Sequence, residues 1–215
     1  MSELVITPTK LWSTLLFEAN FPDHEAIAPE IIQLIKQLSD NQQCDVESLV
    51  AQKAKKNLKE SNFHFLENDD QYIQCLKYFL TELISTVAYE VNHLYWPEDV
   101  QVHCDIIESW YHLTSNGGFH DIHSHPNCSW CGIYFVDEGE SNIENGQNRF
   151  YDPRHNADHY QDAGTAYIGA NGVWDIAPRA GQIIIFPSYL KHSAMAYFGQ
   201  LNRMVIAFNA QIDIE

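Results

Sequence analysis

No run of this sequence approaches the ~18 consecutive apolar residues of a membrane-spanning helix. The opening stretch, MSELVITPTKLWSTLLFEANF, has no basic start followed by a long apolar core, so no secretion signal is expected. Basic residues are scarce: 12 Lys and Arg stand against 29 Asp and Glu, a formal net charge of −17 over 215 residues. Such a surface repels a phosphate backbone, which disfavours DNA and RNA as partners. Cysteine is sparse as well. Cys44, Cys75, Cys104, Cys128 and Cys131 are an odd number and do not make a dense disulfide framework. Without a secretion signal they are expected as free thiols in a reducing cytoplasm. No internal repeat is visible.

What is present is enough apolar material, 45% of residues, to build a real core. The length suits one domain, with residues 1–100 as an N-terminal support region of strand and helix and 101–215 as the core. Residues 3–20 read as one or two strands between Pro8 and Pro22. Ala28–Leu38 reads as a helix with Pro29 in its first turn, where proline is tolerated. Residues 40–69 are polar, with weak periodicity, and read as loop plus short helix. The clearest helix spans Asp70–Asn92: Ile73, Leu76, Leu80, Leu83, Ile84, Val87 and Val91 recur at three- and four-residue steps, behind a capping Asp70.

After Pro97 the pattern changes to short β-like runs at 101–113, 121–125, 130–136, 165–168, 182–186 and 203–212, separated by Gly, Pro and Asn. Strands without intervening helices predict a mainly β core, a sandwich or a jelly-roll barrel. Residues 137–164 form a long polar loop in this reading, and loops of that size in a compact domain are more often functional than idle.

The chemistry gathers in His123-Ser124-His125, His192 and Arg203. Alternation on a strand puts Asp121, His123 and His125 on one face and His120 and Ser124 on the other. Two imidazoles so spaced can share one first-row metal ion. His192, at the end of the apolar run GQIIIFPSYLKH, is the candidate third ligand. Sites of two histidines and a carboxylate belong to non-haem iron oxygenases. Here the third ligand is either a histidine or Asp121, with Asp121 otherwise orienting an imidazole. Arg203 opens RMVIAFNAQ and shares a face with Val205, Ala207 and Asn209. An arginine pointing into a barrel needs a charge partner, and a dicarboxylate fits its fork. A rival set, His123, His125, Cys128 and Cys131, would make a cramped zinc site in a non-enzymatic β-sandwich.

The stretches GGFHDIHSHPNCSWCGIYFVD, FYDPR and PRAGQIIIFPSYLKHSAMAYFGQLNRMVIAFN resemble the 2-oxoglutarate/Fe(II)-dependent oxygenase superfamily, and within it a bacterial and phage group. The resemblance implies a double-stranded β-helix of jelly-roll, cupin-like form. It implies Fe(II) on His123, His125 and His192, with Arg203 pairing to the C5 carboxylate of 2-oxoglutarate. It departs from the wider superfamily in having histidine at 125, where a carboxylate is usual. Dioxygen is then a co-substrate, and hydroxylation of a peptide or small molecule, with release of succinate and CO2, is the default outcome. Tyr134, or else Tyr111, is a candidate hydroxyl donor to the co-substrate, and Asn209 a candidate contact. The polar 137–164 segment reads as a lid. A three-histidine, cupin-like dioxygenase that does not use 2-oxoglutarate is the nearest alternative; Arg203 argues against it.

Overall fold

The computed structural model describes residues 12–41, 54–169 and 171–215; the first part of the 3–20 strand region and Cys44 lie outside them. The described strands are β1 (Phe17–Asn20), β2 (Lys55–Glu60), β3 (Val102–His123), β4 (Trp130–Asp137), β5 (Asn148–Tyr151), β6 (Val173–Ile176), β7 (Gln182–Pro187), β8 (His192–Tyr197) and β9 (Arg203–Ile214). They form one antiparallel sheet in the order β1-β7-β4-β9-β3-β8-β5-β6, with β2 paired to β3. Among the described residues, two long helices, α1 (His24–Asn41) and α2 (Gln71–Asn92), accompany the sheet.

The sheet closes on itself. Five strand spacings separate β7 from β5, which in a flat sheet is about 24 Å. Yet the rings of Phe150 on β5 and Phe186 on β7 meet at 5.0 Å. Two cores result, sorted by the period-two alternation of the strands. Cys131, Ile133 and Phe135 of β4, Ile184 and Phe186 of β7 and Val205 of β9 enter the interior of the curl. Trp130, Tyr134, Val136, Ile183, Ile185, Met204, Ile206 and Phe208 face the other way and pack with α1 and α2. Strands buried on both faces read as continuous apolar runs, which is why WCGIYFV and QIIIF stand out in the sequence.

Helix α2 starts where its cap predicts: Asp70 Oδ1 accepts the amides of Tyr72 and Ile73 at 2.9 and 3.3 Å. Its buried stripe is Ile73, Leu76, Leu80, Ile84, Val87 and Ala88. Helix α1 begins four residues earlier than the sequence reading, so Pro29 lies inside it. The N–H missing at Pro29 would have reached the carbonyl of Glu25, an exposed residue that water can serve.

Four other expectations are corrected. The run at 101–113 and the first residues of the run at 121–125 belong to one strand, β3, which continues through Gly117, at a φ of +75°, and Gly118 and ends at His123. Strand β2, KKNLKE, falls in the expected 40–69 loop; pairing to β3 makes it a strand despite its charge. The 137–164 loop contains β5. Residues 165–168 belong to a 3-10 helix, Ala163–Ile168, fixed by a capping box between Asp162 and Thr165.

Gly132 is a packing requirement rather than a turn residue. It pairs with Phe208 across β4 and β9, and a Cβ there would sit 2.1 Å from Phe208 Cζ. The Phe208 ring is buried and has no exit. Gly132→Ala is therefore expected to destabilise by about 1–3 kcal/mol, the usual range for overpacking. Urea unfolding of the two proteins measures the difference, and unchanged midpoints would contradict the packing account.

Candidate metal centre

β3 and β8 run side by side, and their register sets His123 directly opposite His192. His192 thus opens β8; it does not end the preceding apolar strand, because Pro187 stops β7 and a turn through Ser188 reverses the chain. That turn is tied down on both sides. The Ser188 amide donates to the Ser129 carbonyl at 3.1 Å, the Ser188 hydroxyl to the Cys128 carbonyl at 2.7 Å, and the His125 amide to the Ser188 carbonyl at 3.1 Å. His125 lies just past the end of β3 and is delivered by this clasp.

One ligand nitrogen from each of His123, His125 and His192 lies within 4.8 Å of the other two. The backbone fixes which nitrogen is free in two of them. His123 Nδ1 donates to the Asp121 carbonyl at 2.7 Å, and His192 Nδ1 donates to the Leu190 carbonyl at 3.1 Å. With Nδ1 protonated in both, each Nε2 carries a lone pair, the arrangement that second-sphere partners impose on metal-ligating histidines. His125 Nε2 is 3.4 Å from His192 Nε2. Burial holds all three rings neutral: it lowers the pKa of His123, and takes His125 to about 4 and His192 to about 3. Neutral imidazole is the form that binds a cation. The donor set fits a borderline first-row metal.

Asp121 serves this centre differently from either expectation. Its exposed carboxylate accepts the amide of Ile122 at 2.7 Å, and it is the backbone carbonyl that orients His123. The expected parity around it also fails. Register shifts between His120 and His123 bring the His120 ring against His123, with centroids 3.9 Å apart and planes 17° from parallel. Nor do Cys128 and Cys131 join the histidines in a zinc set: the third member of the cluster is His192.

Arg203 lines the same cavity as the three histidines, together with Trp110, Asn148 and Val205. It is 2% exposed. Its Nη2 donates to Asn148 Oδ1 at 2.5 Å, its guanidinium lies over the Phe135 ring at 5.8 Å, and its Nε has no acceptor. No carboxylate of the described residues pairs with it. Burial alone pulls its pKa down to about 10. A buried cation with an orphaned donor is a site prepared for an anion.

Sequence reasoning passed over Asn148, Phe150 and His112. Asn148 and Phe150 alternate on β5, one holding Arg203 and the other stacked on His192 at 5.9 Å. Their strand looked like loop because it is four residues long and polar at one end. His112 lines the cavity from β3 and donates Nε2–H to Glu60 Oε2 at 2.5 Å. Glu60 also accepts from Lys55 Nζ at 2.6 and 2.7 Å. Burial works to raise the Glu60 pKa, but His112 and Lys55 outweigh it and hold the carboxyl at about 2.

Two expected co-substrate contacts are corrected. Tyr134 points to the helix side of β4, where its hydroxyl lies 2.7 Å from His24 Nδ1. Tyr111 is likewise on that side, with Ser39 at 3.1 Å. Asn209 does face inward, but its amide is taken at both ends: Nδ2 donates to Glu108 at 2.7 Å and Oδ1 accepts from Cys131 Sγ at 3.3 Å.

Residues 108–209 match the model of a family described as "Putative 2OG-Fe(II) oxygenase". This stretch is a 2-oxoglutarate/Fe(II) oxygenase domain. No curated protein sequence matches the chain. The oxygenase domain and the elements before it are similar in structure to a prolyl-4-hydroxylase from Pseudomonas putida (TM-score 0.54, 14% identity, 91% of this chain and 92% of that one). They are also similar to a Trichoplax adhaerens prolyl hydroxylase in complex with a hypoxia-inducible-factor peptide (0.58, 15%, 91% and 83%). A third similar structure is HygX from Streptomyces hygroscopicus with nickel and 2-oxoglutarate bound (0.58, 10%, 92% and 82%). These likenesses identify the curled sheet as the double-stranded β-helix of this class of oxygenases.

Proposed function

We propose that His123, His125 and His192 hold the iron of this oxygenase and that Arg203 holds the far carboxylate of 2-oxoglutarate. The observation that carries the reading is Arg203 itself. It is a fully buried guanidinium with an orphaned Nε–H, no carboxylate partner among the described residues, and a place in the same cavity as three converging imidazoles. A dicarboxylate supplies the missing charge through two parallel hydrogen bonds. Three neutral imidazoles add no charge to the metal, so an anionic co-substrate also offsets the cation better than a neutral one.

Bound iron supplies the activation of dioxygen, coupled to decarboxylation of 2-oxoglutarate to succinate and CO2 and to oxidation of a second substrate, with hydroxylation the default outcome. The chain's own residues do the positioning. The Asp121 and Leu190 carbonyls keep two Nε2 lone pairs aimed inward. Asn148 holds the Arg203 fork in place, and Phe150, Phe186 and Val205 keep the wall apolar. A cleft of about 990 Å³ is lined by Leu16, Phe150, Tyr151, Tyr167, Trp174 and Leu190, and the Phe150 ring stacks on His192. The cleft is the entrance for the second substrate, a peptide or a small molecule. Of the 137–164 segment only Phe150, Tyr151, Asp152, Pro153 and Arg154 line it; Tyr167, Ile168 and Gly169 beyond that segment line it as well.

No described helix is long and apolar enough to cross a membrane. The described cysteines are free thiols, which supports a reducing cytoplasm as the working compartment.

The test is stoichiometry. Protein loaded with Fe(II) is expected to consume dioxygen and release succinate only when 2-oxoglutarate is supplied, in a one-to-one ratio. Oxygen uptake without any requirement for 2-oxoglutarate would instead favour the three-histidine dioxygenase.

A further inference from the structure

The Cys128-Ser129-Trp130-Cys131 motif plays no part in the function proposed above, yet the fold brings its two thiols together. Cys128 precedes β4 and Cys131 is its second residue, and their sulfurs are 3.7 Å apart. Had both lain on one regular strand they would have faced opposite ways. The turn before β4 prevents that. Asn127 takes a left-handed φ of +62°, and its carbonyl is held by Gln211 Nε2 at 2.8 Å. The Ser129 amide donates to the Ala210 carbonyl at 2.9 Å, and the Ser188 hydroxyl to the Cys128 carbonyl at 2.7 Å. The chain on both sides of the pair is thus pinned, and the thiols face one another as a consequence.

The two sulfurs are unequal. Cys128 is partly exposed, and Cys131 is 2% exposed and lies in the wall of the histidine cavity. The other described cysteines, Cys75 on α2 and Cys104 on β3, have no such partner.

We propose that Cys128 and Cys131 are a redox-active dithiol that reduces a hydroperoxide and closes to a disulfide at the edge of the metal cavity. The Cys128 sulfur attacks the outer oxygen of the peroxide and breaks the O–O bond, giving a sulfenic acid at Cys128 and one water. The Cys131 sulfur then attacks Cys128, expelling the second oxygen as water and forming the S–S bond. In sum, two thiols and one H2O2 give one disulfide and two waters, with sulfur oxidised and peroxide oxygen reduced by two electrons. A cellular dithiol reverses the change by exchange. Sulfenic acids condense with a neighbouring thiol, and a buried partner 3.7 Å away makes that step local. The disulfide withdraws the Cys131 thiol from Asn209 Oδ1 and ties the segment after His125 to β4.

The test uses full-length, metal-free protein, so that its outcome does not depend on the iron assignment. One equivalent of hydrogen peroxide is added, and intact mass and peptide maps are recorded with and without dithiothreitol. The expected result is a loss of 2 Da confined to the peptide carrying Cys128 and Cys131, fully reversed by the reductant. In Cys131→Ser the sulfenic acid on Cys128 should persist and be captured by a sulfenic-acid probe such as dimedone. Two intact thiols in the wild-type peptide would overturn the proposal. So would sulfinic acid at Cys128, or a disulfide to any other cysteine.

Discussion

Replacing Arg203 with alanine is expected to weaken 2-oxoglutarate binding by about 3–5 kcal/mol, the usual cost of breaking a buried charge pair. That is a factor of roughly 10² to 10³ or more in Kd, at 1.4 kcal/mol per tenfold. Anaerobic calorimetric titration of metal-loaded protein measures it. A control separates the loss of the pair from general damage to the cavity. A 2-oxo acid without the distal carboxylate, such as 2-oxobutyrate, keeps the metal-binding end but has nothing for Arg203 to hold. It should bind wild type and variant about equally. A further expectation concerns the ligand-free protein. The guanidinium is buried with an unsatisfied Nε–H and only an amide partner, so its removal relieves a cost and should leave unfolding stability unchanged or higher. If 2-oxoglutarate bound both proteins alike, or if the two acids lost affinity equally, the distal carboxylate would be somewhere else.

How far the sequence reveals this site depends on whether local pattern or long-range register decides. Helix α2 was legible because one side chain, Asp70, and one stripe carry it, and both are local. Strands β4, β7 and β9 were legible because burial on two faces makes an apolar run. Arg203 could be placed at the start of β9, inward with Val205, because alternation along that strand is regular. Strand β2 and the short β5 and β8 were not legible. KKNLKE, NRFY and HSAMAY are strands because a neighbour offers its edge, and such context outweighs the weak propensities of these residues.

The same distinction explains the errors within the site. Assigning His120 to the face opposite His123 assumed an unbroken strand, and the register shifts at the end of β3 undo that assumption. Tyr134, or else Tyr111, was a candidate hydroxyl donor to the co-substrate, and which face of its strand it takes decides the matter. On β4, however, it is Cys131, Ile133 and Phe135 that face inward, so Tyr134 is directed to His24. Asn148 left no signal, since its importance lies in reaching Arg203 from a strand 55 residues away. A carboxylate near the motif, Asp121, drew attention for its side chain, whereas the contribution comes from its carbonyl, which any residue could offer.

Replacing His192 with alanine is expected to abolish stoichiometric retention of Fe(II). His192 supplies one of three converging nitrogens. Its ring is buried, its Nδ1 is already committed to Leu190, and its Nε2 lies 3.4 Å from that of His125. Without it, His123 and His125 remain as two ligands on adjacent chain, too few for tight binding of a first-row ion. Metal content after anaerobic loading and desalting measures the effect, with circular dichroism to confirm that the sheet persists. Two further variants give the result its meaning. His120→Ala removes a ring that stacks on His123 but stands outside the converging set, and Asp121→Ala removes a carboxylate whose side chain is exposed while sparing the carbonyl that orients His123. Both should keep one iron per chain. Iron retained in His192→Ala would refute the three-histidine centre, and iron lost in Asp121→Ala would restore the carboxylate as a ligand.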